Sequence, residues 1–167
     1  MAQNSQVNAI RDLSSLDVAI MLPLNNAHAK ETSALDDASF TALLDMAFYA
    51  RGIDRGATAF LIALDHNASY DSPNFIWFKA ARESFIYIDR IIVLSSARGR
   101  GIARLLYDDL FSAVRKAGHD RVVCEVNIDP PNLVSEAFHE TMGFKRVAEA
   151  TIRNGTKTVR YLEKTLR

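Results

Sequence analysis

The amino-acid sequence predicts an α+β domain with a central mixed sheet. Two observations carry that reading. The second half alternates sharply: a strand over 84–94, a Ser/Gly loop over 95–101, an amphipathic helix over 102–116, a strand over 122–126, a Pro break, a short helix and two closing strands. The first half holds short apolar runs of strand length and shows no βαβ repeat, which suits mostly antiparallel strands.

Residues 1–16 read as a polar lead-in with room for a short helix. Val18-Ala19-Ile20-Met21-Leu22 reads as a compact strand ended by Pro23. The polar stretch 25–37, with His28, Lys30 and Glu31, is expected to be loop with at most one helical turn. Over 39–50, Phe40, Leu43, Leu44, Ala47 and Phe48 recur at helical spacing, with Asp36, Asp37 or Ser39 as the cap. Gly52 and Gly56 bracket a turn, and 58–64 reads as a buried strand. The turn formers of 65–74 predict a loop, and Phe75-Ile76-Trp77-Phe78 a short strand. Residues 84–94 are the strongest strand of the chain. On the helix over 102–116, Leu105, Leu106, Leu110, Val114 and Ala117 fall on one face, and Gly118 closes it. Asp129-Pro130-Pro131 breaks the chain, and a helix over 133–142 stops at Gly143. Strands over 144–151 and 157–166 form a hairpin signalled by Asn154-Gly155.

The 167 residues, 49% hydrophobic and 24% charged, suit one domain spanning 1–167. Lys plus Arg and Asp plus Glu both number 20, so no global field favours nucleic acid or an anionic membrane as partner. Cys124 is the single cysteine, which excludes an intramolecular disulfide and is compatible with a reducing compartment. Residues 1–15 hold no apolar core of signal-peptide length, and the longest apolar stretches are too short to span a bilayer. The expectation is a soluble, cytoplasmic protein without a metal.

The informative segment runs from the strand at 85–94 through Arg98-Gly99-Arg100-Gly101-Ile102-Ala103 into a helix. Successive backbone N–H groups of a glycine loop and a free helix N-terminus form an anion cradle, to which Arg98, Arg100 or Arg104 adds charge at the rim. A Walker-type loop is excluded, because the terminal Gly-Lys-Ser/Thr is absent. A dinucleotide fingerprint fails where Arg104 stands in place of a third small residue.

What remains resembles motif A of the GNAT superfamily of N-acetyltransferases, Arg/Gln-x-x-Gly-x-Gly/Ala, here Arg98, Gly101 and Ala103 after a strand ending at Val93. The stretch Asn132-Leu133-Val134-Ser135-Glu136-Ala137-Phe138-His139-Glu140-Thr141-Met142-Gly143-Phe144 is similar to motif B of that family. The resemblance covers residues 85–150 well and, by order of elements, 18–166. It implies a twisted, mostly antiparallel mixed sheet flanked by helices and splayed between the strands at 85–94 and 121–127. It also implies acetyl-CoA as cosubstrate, with pantetheine bonded to the main chain around Ile91, Ile92 and Val93. The amides of Arg98, Gly99, Arg100, Gly101, Ile102 and Ala103 would then hold the pyrophosphate, and Asn132, with Ser135 and Phe138 of the motif B helix, would meet the pantetheine. The implied reaction is direct attack of a small-molecule or peptide amine on the thioester, with loss of CoA thiolate. Many such proteins also form homodimers.

The family's usual acid is a Tyr at the place of His139, so the acid role passes to His139 or is lost. Tyr87 and Asp89 share a face of their strand, and family members often place a Glu near Tyr87. Asp89 is therefore the first candidate base and Glu125, on the neighbouring strand, the second. Plain structural roles stand beside these: an Asp89–Arg90 ion pair, a core His139, a capping Asn132, and Trp77, Phe78 and Tyr87 as core or pocket wall. Cys124 is an unpromising nucleophile, since direct transfer needs none. Two rivals remain: a non-catalytic acyl-CoA-binding module, favoured by the Tyr-to-His change, and a Rossmann-type oxidoreductase, disfavoured by Arg104.

Overall fold

The computed structural model describes residues 9–167; the start of the expected polar lead-in, residues 1–8, lies outside the described residues. The strands are β1 (Arg11–Asp12), β2 (Tyr49–Ile53), β3 (Ala59–Asp65), β4 (Ile86–Val93), β5 (Arg121–Asp129), β6 (Lys145–Ile152) and β7 (Lys157–Thr165). The helices are α1 (Val18–Ala27), α2 (Asp37–Met46), α3 (Pro73–Ala81), α4 (Ile102–Lys116) and α5 (Leu133–Thr141). The strands form one sheet in the order β1-β2-β3-β4-β5-β7-β6. β1 runs antiparallel to β2, and β7 antiparallel to both β5 and β6, while β4 and β5 are parallel. The expected α+β class with a mixed sheet is what the chain forms.

The residues group into two compact units, one of residues up to Ile62 with Arg90–Asp108, the other of Ala63–Asp89 with Asp109–Arg167. In the first, Met21, Phe40, Ile53 and Phe60 are fully buried, and the rings of Phe40 and Phe60 lie 5.9 Å apart. Asp36 caps α2 by accepting from Ser39 N at 2.7 Å. Gly52 lies on β2 where a Cβ would come within 2.4 Å of the Ala59 carbonyl oxygen, so only glycine lets these backbones approach. In the second unit, Phe75, Phe78, Phe85, Tyr87 and Tyr161 pack as an aromatic core, with Phe75 edge-on to Tyr87 at 5.5 Å and Trp77 stacked on Tyr161 at 4.4 Å. Arg82 and Arg121 both reach Glu163.

Several elements differ from the sequence reading. The run at 18–22 is helical, because five consecutive apolar residues carry no period of their own. The buried residues of α1 are Val18, Met21, Leu24 and Asn25, one helical face, and the helix continues through Pro23 into the stretch expected as loop. The quartet at 75–78 is helix too: Pro73 opens α3 with its φ already suited to a first turn, and Asn74, Phe75 and Phe78 turn inward. The helix expected over 39–50 ends at Met46, where Ala47 turns extended, and Tyr49–Ile53 pairs with β1 instead. The described part of the lead-in supplies β1 and a 3₁₀ turn capped by Ser14. On α4 the residues Ile102, Leu106, Tyr107, Leu110, Phe111 and Val114 are buried, whereas Leu105 and Ala117 face solvent. The β6–β7 turn takes four residues, with Arg153, Asn154 and Gly155 all at positive φ.

Candidate active site

The turn between β4 and α4 is the first of two residue groups. β4 ends at Val93, a 3₁₀ turn follows at Ser95–Ala97, and α4 opens at Ile102. Gly99 and Gly101 take left-handed conformations, with φ of 78° and 75°, which residues bearing a Cβ adopt only under strain. A Cβ at either would meet nothing within 4 Å, so the space beside both glycines is open to a ligand. The Gly101 carbonyl accepts from Leu105 N at 3.1 Å, which leaves the amides of Ile102, Ala103 and Arg104 as first-turn donors without helical partners. Arg98, Arg100 and Arg104 are exposed; Arg98 Nε donates to the Val93 carbonyl at 3.4 Å, and its Nη2 lies 3.5 Å from His28 Nδ1. Upstream, Ile92 is buried while Ile91 and Val93 are half-buried. Open glycines, free amides and three guanidinium groups fit a diphosphate.

The second group sits on β4, β5, α3 and β7. β4 and β5 pair in parallel at Ile86↔Val122 and Tyr87↔Val123, and their register ends there. Two residues further along, on the same strand faces, come Asp89 and Glu125. The Tyr87 hydroxyl donates to both Glu125 oxygens, at 3.0 and 2.8 Å. Asn74 also hydrogen-bonds the Glu125 carboxylate, and its Oδ1 accepts from the Tyr161 hydroxyl at 2.9 Å. Tyr70 donates to Asp89 at 2.5 Å.

Glu125 is partly exposed, yet the dense protein around its carboxyl pushes the pKa up from 4.5 to about 7. The Asp89 charge adds to that rise, and hydrogen bonds from Tyr87 and Asn74, with the Lys157 charge, oppose it. Burial, then the Glu125 and Asp89 charges, hold the Tyr87 hydroxyl well above its ordinary range. Tyr161 is pushed up to about 12 by burial and by Glu125. The result is one carboxyl that titrates near neutrality among phenols that keep their protons. Cys124 next to it is buried, and burial and the Glu125 charge raise its thiol pKa, so it stays a weak nucleophile.

On α5, Asn132 caps the helix by accepting from Ser135 N at 3.2 Å. His139 is only 4% exposed. Its Nδ1 donates to the Ser135 carbonyl at 2.7 Å, with the Ser135 hydroxyl 3.4 Å away. Its ring packs edge-on against Phe138 and Phe144 at 5.4 and 5.2 Å, and burial lowers its pKa, so it is neutral at pH 7.

Of the nominated residues, Tyr87 and Glu125 meet directly, Asp89 meets Tyr70, and His139 meets Ser135 and Phe138. Arg90 turns its guanidinium to Asn25 and Ser33. Sequence reasoning missed Tyr70, Asn74 and the Tyr161 hydroxyl, which come from stretches with no shared spacing.

Residues 38–144 match the model of the Acetyltransferase (GNAT) family, a span that takes in Tyr87, the glycine turn, Glu125 and α5. The chain belongs to the GNAT family. No curated protein matches this GNAT chain by sequence. Its fold is shared by the ribosomal-protein-S18-alanine N-acetyltransferase of Escherichia coli, at a TM-score of 0.69 and 16% identity over 95% of this chain and 93% of that one. It is shared by yncA, a putative acetyltransferase from Salmonella typhimurium solved with its cofactor acetyl-CoA (0.68, 17%, covering 95% and 94%). Chaetomium thermophilum Naa20, in complex with a bisubstrate analogue, is a third (0.71, 17%, covering 95% and 86%). At such identities the likeness is one of fold. Among the described residues no helix is long and apolar enough to cross a membrane.

Proposed function

We propose that this GNAT protein transfers an acetyl group from acetyl-CoA to an amine, with Glu125 as general base. The observation that supports this best is the Glu125 carboxyl, held by Tyr87 and Asn74 with its pKa at about 7. A base works best when it titrates near the operating pH. That feature favours catalysis over a binding module, which has no use for a tuned carboxylate.

Acetyl-CoA supplies the acetyl group as an activated thioester. The amides of residues 98–103 and the α4 N-terminus hold its diphosphate, with Arg98, Arg100 and Arg104 at the rim. The main chain of Ile91, Ile92 and Val93 would take the pantetheine as an added strand. Glu125 accepts the proton that the amine releases. Tyr87 keeps its proton at Oη and orients the carboxylate, with Asn74 as second donor. Asp89, engaged by Tyr70, raises the Glu125 pKa through its charge and is a positioning residue. His139, whose Nδ1 proton is given to Ser135, packs α5 and is not assigned the acid role.

The acceptor class is a small-molecule or peptide amine. The Escherichia coli enzyme of the same fold is a ribosomal-protein-S18-alanine N-acetyltransferase, which makes peptides with N-terminal Ala the first to try. Thiol release from acetyl-CoA across a panel of amines and peptides tests the reaction. At least one amine should yield CoA and an equal amount of acetylated product; cofactor binding with no turnover on any amine would support the binding module instead.

A further inference from the structure

The proposed reaction makes no use of Asp65, His66 and His119. Asp65 closes β3, His66 follows it into a turn, and His119 lies between α4 and β5. Within their own unit the three side chains converge. His66 Nδ1 lies 3.2 Å from Asp65 Oδ1, and His119 Nε2 lies 3.3 Å from Asp65 Oδ2. One ligand atom of each lies within 4.8 Å of the other two, and the imidazole rings meet edge to face at 5.7 Å. His66 Nδ1 is buried and makes no hydrogen bond, although a carboxylate oxygen stands 3.2 Å away. A buried ring nitrogen without a partner is unfavourable unless its lone pair serves a ligand.

The spacing suits a metal ion. Metal–nitrogen and metal–oxygen bonds of about 2.0–2.2 Å in a tetrahedral shell set neighbouring donors about 3.4 Å apart. Ser84 Oγ lies 3.2 Å from His119 Nδ1. With Ser84 accepting the Nδ1 proton, the His119 Nε2 lone pair faces Asp65, the outer arrangement that metal-bound histidines use. The other donors are also fixed: His66 N donates to the Phe85 carbonyl at 3.1 Å, and Asp65 Oδ1 accepts from Asn67 N at 2.9 Å. Side-chain exposures of 31% for Asp65, 22% for His66 and 17% for His119 leave an entry path for an ion and a water.

We propose that Asp65, His66 and His119 bind one divalent first-row cation, zinc foremost, with water completing the shell. Two imidazoles and a carboxylate suit zinc, whereas calcium and magnesium take oxygen shells. The ion ties the end of β3 to the approach to β5. Its ligands are none of the residues assigned to acetyl transfer, so its role is structural.

The test uses the full chain, freed of metal by chelation and dialysis, titrated with zinc chloride in a calorimeter. The wild type should bind one zinc per chain at micromolar affinity or better, and zinc should raise its thermal midpoint. His66→Gln and His119→Gln, which keep size and polarity, should each weaken binding at least about tenfold, and Ser84→Ala about tenfold. A cobalt-loaded wild type should show the visible absorption of a four-coordinate site, a readout that needs no variant to fold. Absence of zinc binding by the wild type, or equal binding by wild type and the His66→Gln/His119→Gln double variant with native circular dichroism, would overturn the proposal.

Discussion

Replacing Glu125 with Gln retains the shape of the side chain and an acceptor for Tyr87 but removes the titrating proton. In the folded chain this carboxyl stands at about 7 against an ordinary 4.5. Folding therefore favours the protonated form. The stabilising contribution is fully present below the unfolded value and is lost as pH rises through the folded one. At about 1.4 kcal/mol per tenfold, the difference amounts to roughly 3 kcal/mol. The partial exposure of Glu125 reduces this to about 2 kcal/mol. Between about pH 5 and about pH 9 the wild type should lose about 2 kcal/mol of unfolding free energy that Glu125→Gln retains. Urea unfolding of both proteins at the two pH values measures this directly. In turnover, wild-type kcat/KM should climb about tenfold per pH unit below about 7 and level off above it, with the variant lower by about 10²–10⁴ and without that rise. Identical pH dependence of stability in the two proteins, or a shared activity profile, would remove Glu125 from the role of a neutral-pH base.

Gly101→Val forces a β-branched residue to a φ of 75°, at a cost of roughly 1–2 kcal/mol in stability. The chain should still fold, while acetyl-CoA affinity by calorimetry falls at least about tenfold; unchanged affinity would remove the turn from the phosphate site. Gly52→Ala pushes a methyl to within 2.4 Å of the Ala59 carbonyl oxygen and should destabilise the chain by about 1–3 kcal/mol in urea unfolding. An unmoved midpoint would show that β2 has room to yield. His139→Ala should cost about 2–3 kcal/mol of stability through lost packing and change kcat less than about threefold. A fall in kcat of about a hundredfold with stability intact would reinstate His139 as the acid.

The β4–glycine–α4 segment was legible because three independent signals coincide there: a β-branched strand, small residues at a sharp reversal and an amphipathic helix. The bounds of α4 follow from the sequence, although Leu105 and Ala117 of its expected apolar face are exposed. α1 and α3 were not legible, because short apolar runs look alike as strand or helix until their burial is known. Pro23 reads as a terminator in sequence, yet α1 continues past it. At the site, the period of two along β4 puts Tyr87 and Asp89 on one face, and Glu125 stands second on the neighbouring strand, but strand periodicity says nothing about which carboxylate a phenol will grip. That choice depends on Asn74 and Tyr161, brought in by α3 and β7. Asp65, His66 and His119 were invisible for the same reason: β3 and the loop before β5 bring them together, and no short spacing links them.

Acetyl-CoA binding is tested most directly by calorimetric titration of the purified protein with acetyl-CoA, with CoA and NAD as comparisons. One-to-one binding of acetyl-CoA at micromolar affinity is expected, with comparable binding of CoA and none of NAD. No heat from acetyl-CoA or CoA would reduce the glycine turn to a chain reversal and contradict the acetyltransferase reading.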